Sequence, residues 1–367
     1  IHSQVRPAFQ RLLSFTQDVY FPACRNVTSP IGLAGLPGGS AYYQALVEKY
    51  TNNRTATPET VHAIGWQEIA RIQNKQAQAL ARANFNGSMQ AYFNYLRNDP
   101  VYQLPKEALI RYTQALAKSI DGKLPKYFEM LPRCPYTIIP VPDLAAESSP
   151  AGYYNGPDTM CTRPGVFHLN TFGSKVTTYL IYSLFLHEAV PGHHLQIALQ
   201  MELNSTSIGG VPEWRANGDW TAFVEGWALY AESLGEEMGL YEDPAIDIGR
   251  LSDDMLRACR LVVDTGIHHY NWTRSQAIDL IVNNTALSID DIHSEVDRYI
   301  VWPGQALAYK SGQMAISQLR QQAKTTLGQE IFSLRQFHNQ VLKDGSLPLS
   351  ILRENIEEWI QKVQQEN

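Results

Sequence analysis

Cysteine is scarce in this 367-residue chain: four in all, at positions 24, 134, 161 and 259, and no two of them form a Cys-x-x-Cys pair. That spacing argues against a cysteine-ligated zinc site. Long apolar runs are missing too. The best candidate, Tyr179–Leu186, is ended by His187 and Glu188, far short of the roughly 20 residues a membrane-spanning helix needs. There is no basic cluster, and the net charge of −6 argues against nucleic acid as a partner. Repeats, low-complexity tracts and a linker long enough to divide domains are absent. So is an initiating Met or signal peptide: the chain opens on Ile1, which suggests a processed product.

What is present describes an ordinary globular protein, 44% apolar and 18% charged, long enough for one large domain or two intimate lobes. Most segments read as helices. An apolar stripe runs over 7–20, and Ser40 can cap a helix over 41–50. Thr57-Pro58-Glu59 is a strong helix start, with cap, first-turn proline and first-turn acid, for a helix running to about Ala83. Ser88 and Pro105 open two more, the second stopped by Gly122. Further helices are expected over 221–234, 245–267, 273–283, 288–301, 305–327 and 347–365. Between them, 136–142 is β-prone but broken by prolines, so at best an edge strand. Residues 148–163, rich in Gly, Pro, Ser and Tyr, read as a loop, and 165–170 as a short strand whose edge could hold a peptide backbone. The expectation is a mainly helical fold with a small edge sheet: a helical lobe over 1–135, the sheet and metal-binding helices over 136–235, and a second helical lobe over 236–367.

The densest chemistry lies in Leu184–Gln196, L-F-L-H-E-A-V-P-G-H-H-L-Q. A His-Glu pair at the end of an apolar helix, followed shortly by further histidines, can supply two zinc ligands and a general base. The spacing departs from H-E-x-x-H. On an unbroken helix His193 would lie about 240° round from His187, and His194 about 340° round but roughly 10 Å along the axis. Pro191 cannot donate to the His187 carbonyl, so a bulge is expected at Val190-Pro191. Absorbing two residues there returns His193 to the place of an i+4 ligand. His187 and His193 are therefore the expected ligands, Glu188 the base, and His194 a group behind them or facing substrate. The third ligand should be a downstream carboxylate or histidine, and Glu225 sits mid-helix among apolar residues, where an unpaired acid would be costly. Glu232, two turns on, could brace a ligand histidine. His268 and Tyr309 are candidate oxyanion donors. Arg298 is a candidate for a substrate carboxylate, and Tyr153, Tyr154 and Asn155 for the cleft wall.

Two features point to the secretory pathway: glycosylation sequons at Asn26, Asn53, Asn86, Asn204, Asn271 and Asn283, and an even cysteine count. Of the three possible pairings, Cys134–Cys161 with Cys24–Cys259 is favoured.

Seven segments carry a resemblance: G-L-P-G-G-x-A-Y-Y from Gly35, Y-Y-N-G-P from Tyr153, R-P-G-V-F-H-L-N-T from Arg163, L-H-E-A-V-P-G-H-H-L-Q from Leu186, E-G-W-A-L-Y-A-E from Glu225, D-T-G-I-H-H from Asp264 and W-P-G-Q-A-L-A-Y-K from Trp302. Together they resemble the domain-of-unknown-function 885 family, largely bacterial and regarded as similar to the gluzincin metallopeptidases. The resemblance implies a helical zinc-metallopeptidase-like fold. It also implies a Zn²⁺ held by His187, His193 and a glutamate, here Glu225, with Glu188 as base. His268 and Tyr309 fall in typical blocks, but His269 follows where a small residue is more frequent, which leaves the roles of these two histidines open. Family members carry a helical region before the point where Ile1 begins, so the chain's own cleaved N-terminal piece is an expected partner. The functional expectation is a secreted, glycosylated zinc metallopeptidase, a hydrolase of short peptides. A zinc-dependent hydrolase or lyase of a small non-peptide substrate, or a silent binding protein on the same scaffold, are the alternatives.

Overall fold

Local capping chemistry starts several of the helices in this computed structural model, which describes residues 2–25, 30–158, 160–173, 175–205 and 218–366. Thr57 and Thr60 exchange bonds in a capping box, while Ser88, Asp243, Thr273 and Ser288 each accept from the first turn they precede. The helices of eight residues or more are α1 (Val5–Phe15), α2 (Gly39–Thr51), α3 (Pro58–Arg82), α4 (Met89–Asn98), α5 (Lys106–Asp121), α6 (Ile181–Glu188) and α7 (His193–Ser205), followed by α8 (Thr221–Glu237), α9 (Pro244–His268), α10 (Arg274–Asn284), α11 (Ile289–Val301), α12 (Ala308–Ile331), α13 (Leu334–Leu342) and α14 (Leu349–Glu366). The fold is mainly helical with one small sheet.

Two of these helices organise the rest. α9 is buried on nearly every face although it carries charged residues, among them Asp253, Arg257, Arg260 and Asp264, and α3 lies along it. α8 crosses α12 where Gly226 meets Gly312: a Cβ on Gly312 would come within 1.7 Å of the Ala222 carbonyl oxygen. Only glycine allows that approach, and it places Glu225 and Tyr309 on facing helices. One apolar cluster joins Tyr50, Leu116, Phe167, Phe185, Trp227 and Leu352, so all three stretches of the chain share a core.

The sheet departs from the sequence reading. β1 (Tyr136–Pro140), β2 (Gly152–Asn155) and β3 (Gly165–Leu169) are ordered β1-β3-β2, with β1 parallel and β2 antiparallel to β3. β1 is an edge strand, as its prolines require. The 165–170 strand is central instead, and the edge beside the cleft is β2, inside the stretch that reads as a loop. Four residues are too few for alternation to register.

Other elements also differ. The stripe over 7–20 is helical, but no residue of α1 is buried, and Phe9, Leu12 and Leu13 are more than half exposed. α12 runs on to Ile331 past a break at Gly328, and α13 was not read from the sequence. Cys134 and Cys161 are disulfide-bonded. Cys24–Cys259 is not a pair: Cys24 is exposed, whereas Cys259 faces the core from the middle of α9. Among the sequons, Asn53, Asn86, Asn271 and Asn283 are exposed. Asn26 lies outside the described residues, and the side chain of Asn204, near the end of α7, does too. No described helix is long and apolar enough to cross a membrane.

Candidate metal centre

Pro191 does more than bulge a helix. α6 stops at Glu188, Ala189 leaves helical geometry (φ −102°, ψ −109°), the Val190–Pro191 peptide is cis, and α7 starts afresh at His193. The His194 N–H reaches back to the Ala189 carbonyl at 3.0 Å, and the Trp227 indole N–H donates to the Pro191 carbonyl at 2.8 Å. Gly192 is fixed by contact: a Cβ there would meet the His187 carbonyl oxygen at 2.0 Å. The expected bulge is thus a break and restart, and its outcome for the side chains is the same. The His187 and His193 rings lie 4.8 Å apart, edge to face.

Glu225 completes the group. Its Oε2 sits 3.4 Å from His187 Nε2 and 3.5 Å from His193 Nε2, and the three ligand atoms lie within 4.8 Å of one another. Ligand atoms on a tetrahedral zinc stand roughly 3.3–3.5 Å apart. That Oε2 is buried and has no hydrogen-bond partner, which is a costly condition unless a cation meets it. Burial opposes charge on His187, yet Glu225, Glu232 and Glu188 outweigh it and push its pKa up to about 9. Burial likewise opposes charge on Glu225, and the two imidazoles hold it ionised, well below the usual range. His187 and Glu225 therefore both favour positive charge at one point, and the donor set, two imidazoles and a carboxylate, suits zinc.

The shell behind it is built. The His187 Nδ1–H donates to Glu232 Oε1 at 2.7 Å, which presents Nε2 to the site. Arg257 lies 3.3 Å from the same Glu232 oxygen. Glu188 lines the same cavity of about 360 Å³ and makes no hydrogen bond through its carboxylate among the described residues. Tyr309 stacks 6.4 Å from the His187 ring. Its hydroxyl accepts from Arg298 Nη2 at 3.1 Å and Gln305 Nε2 at 3.3 Å, which leaves its own proton to give. Tyr153 and Tyr154 of β2 and Arg298 of α11 also line the cavity.

Three expected residues stand elsewhere. His194 turns away and pairs through Nδ1 with the Tyr154 hydroxyl at 2.8 Å; burial pushes its pKa down to about 4. His268 is a satisfied core histidine, not an oxyanion donor: the Leu33 N–H donates to Nδ1 at 3.1 Å and the Nε2–H donates to the Tyr299 carbonyl at 2.9 Å. His269 sits at the surface, 2.9 Å from Glu59. The local motif D-T-G-I-H-H shows that two histidines end a helix but cannot say where they face.

Sequence reasoning also missed much of the opposite wall. Asp253, Arg257 and Arg260 stand at i, i+4 and i+7 on α9; Asp291, Glu295 and Arg298 repeat that spacing on α11, and all six line the cavity. Charged residues at helical spacing on the apolar-lined face of α9 and of the amphipathic α11 were the available signal.

The family described as "Bacterial protein of unknown function (DUF885)" matches residues 1–356. The chain belongs to this family. A crystal structure described as a "putative lipoprotein" from Colwellia psychrerythraea superposes with a TM-score of 0.91 at 33% identity, over 98% of this chain and 61% of that one. A second, a "putative lipoprotein of unknown function" from Shewanella oneidensis, gives 0.71 at 19% identity, over 94% of this chain and 63% of that one. The chain thus spans less than two thirds of either relative's length. No curated protein matches it.

Proposed function

We propose that this chain is a zinc metallohydrolase that cleaves peptide bonds in short peptides, on a gluzincin-like arrangement in which His187, His193 and Glu225 hold the ion. The observation that carries the reading is the orphaned Glu225 oxygen between two imidazole nitrogens, with an unpartnered glutamate in the same cavity. A bound zinc would polarise the scissile carbonyl and acidify water.

The protein's own groups account for the rest. Glu188 accepts the proton of the attacking water and passes it to the leaving amine. The Tyr309 O–H donates to the developing oxyanion, steadied by Arg298 and Gln305. Glu232 fixes the His187 tautomer. β2, an edge strand lining the cavity, offers its backbone to an extended peptide. A cavity of about 360 Å³ admits a few residues rather than a folded substrate. The lipoprotein description of both relatives supports an exported protein, as do the exposed sequons and the disulfide.

Hydrolysis of a short-peptide library tests this. Chelation should abolish turnover, zinc should restore it, and Glu188→Gln should lower it by about 10³-fold or more while metal content stays at one per chain. Turnover that survives both treatments would overturn the reading.

A further inference from the structure

The wall facing the metal ligands is a lattice of opposite charges with one member left over. On α9, Asp253 takes Arg257 (2.9 Å) and the Ser183 hydroxyl. On α11, Glu295 takes Arg260 (2.5 Å), Arg298 (3.1 Å) and the Tyr299 hydroxyl (2.6 Å). Glu232 takes His187 and Arg257. Each of these three arginines and three acids thus has an opposite charge within 3.3 Å, although Arg257 Nε, Arg260 Nη1, Arg298 Nε and Glu232 Oε2 keep no hydrogen-bond partner among the described residues. Asp291 remains. It lines the cavity, it is only 8% exposed, and its carboxyl makes no hydrogen bond or ion pair among the described residues. The charges that act on it are Glu295, Asp253, Lys175 and Arg260, and burial together with Glu295 raises its pKa to about 7. The Lys175 ammonium is already spent on the carbonyls of Glu147 (2.7 Å) and Ser149 (2.8 Å). A buried carboxyl without a cation, on a wall whose other acids each have one, awaits a cation from the ligand.

Resting on the peptide-hydrolase reading, we infer that Asp291 anchors the free α-ammonium group of the substrate, so that the enzyme works from the amino end of short peptides. A primary ammonium is the fitting group: compact, with three donors. Glu188 is unavailable for this role because its carboxylate must be free to take a proton, and Glu225 because it faces the two imidazoles.

Calorimetry with the zinc-loaded Glu188→Gln protein tests the anchor apart from turnover. The probes are trialanine, N-acetyl-trialanine and trialaninamide. Acetylation should weaken binding about 10- to 100-fold, the worth of a charge-assisted bond, whereas amidation should leave it unchanged. Adding Asp291→Asn should bring trialanine down to the acetylated level and leave N-acetyl-trialanine where it was. Equal binding of the free and acetylated peptides, binding of none of the three, or a loss on amidation instead would overturn the anchor; the last would assign the arginines to a substrate carboxylate. Turnover by the wild-type protein separates the two claims. Hydrolysis of acetylated peptides as fast as free ones leaves the peptidase and removes the anchor. Selective binding of the free amine without hydrolysis of any peptide leaves the anchor and removes the peptidase.

Discussion

Two groups of three ligating residues occur among the described residues, and by proximity alone they look alike: Cys134, Cys161 and Glu202, and His187, His193 and Glu225. Their partners tell them apart. In the first, the sulfurs are bonded to each other, and Glu202 accepts from the Arg133 N–H (2.6 Å), Arg133 Nε (3.1 Å) and the Cys134 N–H (3.3 Å). Nothing there is owed a cation. In the second, a buried carboxylate oxygen faces two imidazole nitrogens with no bond to either. Closeness makes a candidate; an unmet requirement for charge makes a site.

Substitution should split the two groups cleanly. His193→Ala removes one of the three proposed ligands and should lower zinc content in the purified protein from one per chain to a small fraction, with turnover lost alongside. Replacing both Cys134 and Cys161 by Ala should leave zinc content unchanged and cost stability instead: closing a loop of 27 residues is worth about 3.5 kcal/mol. Elemental analysis and urea unfolding on the same samples read both effects. Zinc lost from the cysteine variant and retained by His193→Ala would reverse the assignment.

A smaller effect is expected one layer out. Glu232 touches no substrate; it acts by holding His187. Glu232→Gln keeps the shape but weakens the acceptor for the Nδ1 proton, so zinc affinity should fall about 10- to 100-fold. Competition with a chromophoric chelator would measure it. Arg257 loses one counter-charge but keeps Asp253 at 2.9 Å, so Glu232→Gln should lower zinc affinity while changing the urea midpoint of the zinc-free protein little. A merely structural Glu232 would show the reverse.

The same contrast between local and distant determinants decides how much the sequence discloses. Helix starts at Thr57, Ser88 and Ser288 are legible because cap and first turn are neighbours in sequence. The break at Pro191 is legible because proline acts on its own backbone, although only packing decides that the chain restarts as α7 rather than bulging. His187, Glu188 and Glu225 are legible as charged residues among apolar ones. The facing wall is not, since Asp291 is left unpaired only once Arg260 of α9 has met Glu295 of α11, which Arg298 of the same helix also joins. His268 is the converse case: its motif looks catalytic, and both its ring nitrogens are taken by backbone groups from elsewhere in the chain.

His338 extends that last lesson to acid stability. It is fully buried, its Nδ1–H donates to the Tyr127 carbonyl at 2.9 Å, and its Nε2 accepts from the Tyr230 hydroxyl at 2.8 Å. Burial pushes its pKa down to about 3, against about 6.5 for an unfolded chain. The folded state therefore keeps this ring neutral while the unfolded state takes up a proton, so stability is full above pH 6.5 and falls as pH drops from there toward 3. Between pH 7 and 4.5 the loss should be on the order of 2–3 kcal/mol. His187 slopes the other way over part of this range, because its raised pKa favours the folded state when protonated, as long as no zinc is bound. Zinc-loaded protein removes that opposing contribution. Urea midpoints for wild type and His338→Gln, each with zinc, isolate the remainder: the variant starts less stable at pH 7, and the gap should narrow steadily toward pH 4.5. A constant gap would mean that His338 titrates in the folded protein as it does in the unfolded one, and that its two hydrogen bonds do not hold it neutral.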